Sequence, residues 1–164
     1  MRNALLAGAL LLALPAAAGA VTLDAFDLDV TNAAGTASSI TLDAGVTYKV
    51  TVSGTFAIAP GRLADGEFYQ FAGTLDWTDV RPPDIGVQLD GMDIVWGPFA
   101  SDHVYSTYYT GTGAALQASY LDVNYGDNSG ALQMTISSVP LPAAGGLMLV
   151  GLGGLAALRR RRRT

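Results

Sequence analysis

Through the middle of the chain, apolar and polar residues alternate with period two. Between Thr47 and Phe56, Tyr48, Val50, Val52 and Phe56 fall on one side and Thr47, Lys49, Thr51, Ser53 and Thr55 on the other. Phe26, Leu28 and Val30 alternate with Asp27, Asp29 and Thr31, and Leu132, Met134 and Ile136 alternate with Gln133, Thr135 and Ser137. That pattern suits strands with one face buried and one wet. Val104 to Tyr109 and Leu116 to Leu121, rich in tyrosine and small residues, read as two further strands. Turn residues punctuate them at Asp43-Ala44-Gly45, Arg81-Pro82-Pro83-Asp84, Gly111-Thr112-Gly113 and Tyr125-Gly126-Asp127-Asn128. No part of this region sustains a helical period. Short half-buried strands joined by tight turns predict an all-β domain, an antiparallel jelly-roll-like β-sandwich, over residues 21–138. Between Ala59 and Asp84 the alternation weakens. Pro60 to Gly66 reads as a loop there, and Phe68 to Phe71 with Leu75 and Trp77 as one or two short strands on a long connection.

The two ends follow a different pattern. Residues 1–20 carry Arg2, an apolar run from Ala4 to Leu14, then Pro15 and a small-residue stretch, the layout of a secretory signal peptide. Ala18 and Ala20 suit the shallow pockets of a signal peptidase, so cleavage after Ala20 would leave Val21 first. The apolar run rises only about 16 Å as a helix, too little to span the hydrocarbon core. At the other end, Leu141 to Leu158 carries no charge and would rise about 27 Å as a helix, enough to cross a thin bilayer. Arg159, Arg160, Arg161, Arg162 and Arg163 follow at once and are expected to stay cytoplasmic, which places the β domain across the membrane, as the signal peptide also requires.

Charge separates the segments further. All fourteen acidic residues of the chain lie in residues 21–138, against Lys49, Arg62 and Arg81, a formal charge of −11 for that region. Such a surface repels nucleic acid phosphates and anionic lipid and attracts divalent cations. With no cysteine, the domain depends on its core alone. One histidine, His103, and neither GxSxG nor HExxH leave no sequence signal for catalysis, so the protein is expected not to be an enzyme. His103, beside Asp102 at the entrance of a strand, reads as a solvated strand-end residue.

The segment Asp122 to Gly130 concentrates oxygen donors and glycine. Calcium takes six to eight oxygens from carboxylates, amides and carbonyls, and Asp122, Asp127 and Asn128 offer three from side chains. A plain hairpin loop, with Asp and Asn satisfying turn amides, uses the same residues and stays open as an alternative. Tyr69, Trp77, Trp96, Tyr105, Tyr109 and Tyr125 are candidates for stacking on sugar faces, although most aromatics of so small a sandwich must fill its core. Trp96, followed by Gly97-Pro98, is expected near a turn and accessible.

Two resemblances add to this reading. Val139-Pro140-Leu141-Pro142-Ala143, the apolar glycine-rich stretch and the terminal arginines, in that order, resemble the VPLPA variety of the PEP-C-terminal sorting signal over residues 139–164. The resemblance implies export, recognition by an exosortase-type membrane peptidase at the inner membrane, removal of the tail, and delivery to the cell surface or an exopolysaccharide matrix. An uncleaved C-terminal anchor is the alternative. The order Asp122-Val123, Tyr125-Gly126, Asn128-Ser129-Gly130 and a last alternating strand is similar to the C-terminal end of the bacterial galactophilic lectin I family, calcium-dependent galactose binders of β-sandwich fold. The strand from Tyr48 to Phe56 running into Ala59-Pro60 resembles that family's earlier metal segment. The likeness implies calcium held by Asp122, Asp127 and Asn128 through side chains and by Ile58 through its carbonyl. The loop here is two residues shorter, Asp127 stands where the family has Asn, and the family's sugar-contacting histidine has no counterpart.

Overall fold

The computed structural model describes residues 19–79 and 85–140, and residues 20–139 form one compact unit. The signal segment with Ala18, the turn at Arg81 to Asp84, and the tail beyond Pro140, including Leu141 to Ala143 and Arg159 to Arg163, lie outside the described residues.

The unit is all-β and antiparallel. Its strands are β1 (Thr22–Asp29), β2 (Thr36–Thr41), β3 (Thr47–Ser53), β4 (Phe56–Ala59), β5 (Arg62–Ala64), β6 (Phe68–Gln70), β7 (Trp77–Asp79), β8 (Gly86–Leu89), β9 (Met92–Asp93), β10 (Val104–Thr110), β11 (Ala115–Leu121) and β12 (Ala131–Ser138). One sheet has the order β1-β12-β3-β10, a second β2-β11-β8-β9, and a third β4-β5-β6-β7. The first two are sandwich-like, with inward residues of both entering one core: Leu28, Val50, Val52, Met134 and Ile136 from the first, Val87, Leu89, Leu116, Ala118 and Tyr120 from the second. Each fully buried aliphatic side chain stabilises the fold by roughly 1.5–3 kcal/mol.

The alternation read from sequence is realised in β3, where Tyr48, Val50 and Val52 are buried, and in β12, where Leu132, Met134 and Ile136 are. The run into Phe56 is broken, however: Gly54 adopts φ +92°, β3 stops at Ser53, and β4 begins the third sheet. Residues 56–79 hold four short strands: the one or two expected around Phe68 and Trp77 form as β6 and β7, while the loop expected over Pro60 to Gly66 is interrupted by β5. Pro60 and Gly61 make a tight turn, β5 occupies Arg62–Ala64 within the expected loop, and β6 and β7 pair through Tyr69 with Thr78. Between β1 and β2 the chain crosses from the first sheet to the second. Gly35, at φ +62°, passes so close to β11 that a Cβ would overlap the Ala118 carbonyl.

Candidate functional site

After β11 the chain must return to the first sheet through residues 122–130. Asp122 starts the reversal, its Oδ1 accepting from Val123 N at 2.6 Å and Asn124 N at 3.4 Å. Asn124 then caps a 3-10 turn (Tyr125–Asp127), its side chain accepting from Gly126 N at 3.2 Å. Tyr125 folds back over the loop: its hydroxyl donates to the Tyr120 carbonyl at 3.0 Å and accepts from Asp122 N at 3.2 Å. Asn128, 8% exposed, donates from Nδ2 to the Val30 carbonyl at 2.8 Å, which turns its Oδ1 away from that carbonyl. Ser129 bonds Ala57 in both directions, N–H to carbonyl at 2.9 Å and carbonyl to N–H at 3.0 Å, and so ties the loop to β4.

These bonds fix the loop's course and leave three of its side-chain oxygens over. Asp122 Oδ2, Asp127 Oδ1 and Asn128 Oδ1 are buried and have no hydrogen-bond partner. An acceptor buried without a partner costs roughly 1–3 kcal/mol. The three are the side-chain oxygens singled out in the sequence. They are hard oxygen donors, the set that calcium or magnesium takes and a soft metal does not, so the residues present fit the calcium ion that the resemblance implies. The loop has just two carboxylates, and among the described residues no three His, Cys, Asp or Glu side chains converge. Ile58 is buried in the core one residue beyond Ala57, and Ala57 is the β4 residue whose backbone meets the loop.

Tyr120 extends from β11 toward the same region, its ring edge-on to Phe56 at 4.7 Å. Its hydroxyl also has no partner. Burial, and next the charge of Asp122, hold this phenol well above its usual pKa, so it stays neutral.

A second polar cluster lies around β5, β6 and the entrance to β10. Asp65 is wholly buried. Its Oδ1 accepts from Glu67 N at 2.9 Å and Phe68 N at 2.7 Å, and its Oδ2 from Tyr105 Oη at 2.8 Å and His103 Nδ1 at 2.7 Å. Burial, and then the bond to Asp65, push the Tyr105 phenol far up, which keeps it a donor. His103 is therefore no solvated strand end. It takes a left-handed φ of +53°, its side chain is 21% exposed, and its ring lies 4.6 Å from Trp77 and 5.6 Å from Phe99. Thirty-eight residues separate it from Asp65, a distance at which no sequence spacing pairs them.

The aromatic candidates divide. Trp96 is buried, not accessible as expected: its N–H donates to Glu67 Oε2 and its Nε1 to the Val87 carbonyl, both at 2.9 Å. Tyr105 and Tyr109 are core residues, whereas Tyr69, Trp77 and Tyr125 are half-buried. The geometry thus defines an antiparallel β domain with an oxygen-rich loop at one strand junction and a histidine held in aromatic rings at another. No family model, curated protein or solved structure matches this chain.

Proposed function

We propose that this protein is a non-enzymatic, exported surface or exopolysaccharide-matrix component whose β domain binds calcium in the loop from Asp122 to Asn128 and, with it, carbohydrate. The reading is carried by one observation: three side-chain oxygens of that loop are buried and unpartnered. A cation bound in the loop would supply partners to oxygens that the protein itself leaves bare. Export rests on the signal-peptide pattern. Sorting by an exosortase-type peptidase at the inner membrane, and release to the cell surface, rest on the tail from Val139 to Thr164. The jelly-roll description belongs to the same reading and is supported by the first sheet, where no two hydrogen-bonded neighbours are consecutive in the chain. The acidic balance of the domain argues for a divalent cation and against nucleic acid.

The test is thermal unfolding of the full chain in mild detergent, with millimolar calcium and with chelator. The expected result is a higher midpoint in calcium, with the gain lost in Asp122→Ala. An unchanged midpoint at millimolar calcium overturns the metal site and leaves a surface protein that packs without this ligand.

A further inference from the structure

The cluster around His103 is more than core filling. Phe68 is buried and packs between Phe99, edge-on at 5.4 Å, and Tyr105, stacked at 6.1 Å. Outside that layer Trp77, Phe99 and His103 form a triangle of rings, with centroids 4.6 to 5.6 Å apart. This outer layer is incompletely covered: Phe99 is 43% exposed, and Trp77 and His103 are partly exposed. The sole polar group of the triangle besides the Trp77 indole N–H is the imidazole, and its orientation is imposed from below. Asp65, whose two oxygens already receive four donors, holds Nδ1, so Nε2 is the ring nitrogen left for a ligand, and no described residue bonds it. Holding a non-glycine residue at positive φ to achieve this is a local strain of the kind that accumulates at binding sites.

We propose that the Trp77–Phe99–His103 face binds a neutral pyranose ring, with the sugar's C–H face on the aromatic rings and a hydroxyl on His103 Nε2. A hydroxyl is the group that suits Nε2 in either protonation state, since it donates to a neutral imidazole and accepts from a protonated one. A flat aromatic face beside one oriented polar atom is also how sugars are held without a deep cavity. The sign of charge follows from the surroundings: with fourteen acidic residues against three basic ones in residues 21–138, uronic or sulfated rings are disfavoured. A cationic ligand finds no free carboxylate in Asp65, which is wholly buried with both oxygens occupied. The site rests on the carbohydrate half of the proposed function and is independent of its calcium half.

Ligand-observed saturation-transfer NMR on the full chain in mild detergent tests this, using methyl glucoside, methyl galactoside and methyl mannoside, with glucuronate and choline as charged controls. Expected is saturation of at least one neutral pyranoside, in calcium and in chelator alike, weakened at least tenfold in Trp77→Leu and in His103→Asn. Asparagine tolerates the left-handed backbone and still offers Asp65 a donor, so His103→Asn removes Nε2 with little else; an unchanged thermal midpoint verifies this, and if that variant unfolds, Trp77→Leu decides. Retention of the same affinity in the variants overturns the proposal, as does preference for glucuronate or choline, or no transfer to any neutral ring. Transfer that requires calcium, vanishes in Asp122→Ala and survives His103→Asn overturns it while leaving the loop site standing. Transfer that survives chelator and Asp122→Ala but not His103→Asn supports it even if the calcium reading fails.

Discussion

Asp65 and Asp122 are both acidic residues drawn into the same β domain, and their oxygens end differently. Around Asp65 the fold supplies two backbone amides, a phenol and an imidazole, so both oxygens are filled by the protein. Around Asp122 it supplies two amides to one oxygen and leaves the other buried and bare, with Asp127 Oδ1 and Asn128 Oδ1 in the same state. A saturated carboxylate holds other groups in place. An unsaturated one lowers stability until something arrives, which is why the first is read as scaffold for the His103 face and the second as a ligand site.

That contrast is broken most severely at Asp65. Asp65→Ala strands four donors, three of them on buried residues, and is expected to cost about 3–5 kcal/mol, seen as a large drop in the urea midpoint. A loss below about 1 kcal/mol would mean that water or a neighbouring side chain replaces the carboxylate, and the scaffold reading would go with it. Asp127→Asn is the matching change at the open site. In chelator it is expected to alter stability little, because no protein donor is lost from the unpartnered oxygen. In calcium it removes one of two charges and most of the ion's stabilisation, which for the unaltered chain would be about 2.7 kcal/mol at a hundredfold excess over Kd. Equal calcium shifts in the two proteins would place the ion elsewhere.

Much of the β framework was legible because β3 and β12 each bury one face for their whole length, and period two is unmistakable over seven or eight residues. The strands β5, β6 and β7 have three residues each, too few to show a period, and Pro60-Gly61 and Gly66 carry loop chemistry that masks them. For the loop, the sequence named the oxygen-bearing residues; that Asn128 would spend its amide nitrogen on Val30, 98 residues away, is a property of the fold. His103 was misread for the same reason. Its partners Asp65, Trp77 and Phe99 come from three separate segments, and a charged neighbour at position 102 looked like solvent exposure.

Tyr120 sharpens the comparison on a smaller scale, since it is a neutral group left unpartnered and feels the charge of both acids. Tyr120→Phe keeps the edge-on contact with Phe56 and deletes the stranded hydroxyl, so stability at neutral pH is expected to hold or to rise by up to about 1 kcal/mol. The calcium shift should persist; its loss would make the hydroxyl a ligand. Alkaline pH adds a second readout. The folded pKa is raised, so this group's contribution is fully present below the unfolded tyrosine value of about 10 and declines as pH climbs from there toward the folded value. Tyr120→Phe should therefore lose stability less steeply above pH ~10 than the unaltered chain.

The smallest effect is expected at the exposed corner between β1 and β2, where a carboxylate is satisfied by its neighbours in sequence rather than by the core. Asp29 accepts from the Thr31 hydroxyl at 2.7 Å and from Thr31 N at 2.8 Å, and Asn32 Nδ2 donates to its other oxygen. The Thr31 side chain, then the Thr31 amide, hold its pKa below the ordinary value. A depressed folded pKa stabilises above the unfolded value of about 3.9, and the contribution is lost as pH falls through the folded one. Thr31→Val removes the largest of these bonds and keeps the shape of the side chain. Its midpoint should lie slightly below that of the unaltered chain at pH 5, and the gap should narrow as pH falls below the unfolded value and through the folded one. A gap that stays constant across that range would assign the loss to packing at position 31, and Asp29 would then hold the corner through its backbone bond to Thr36 instead.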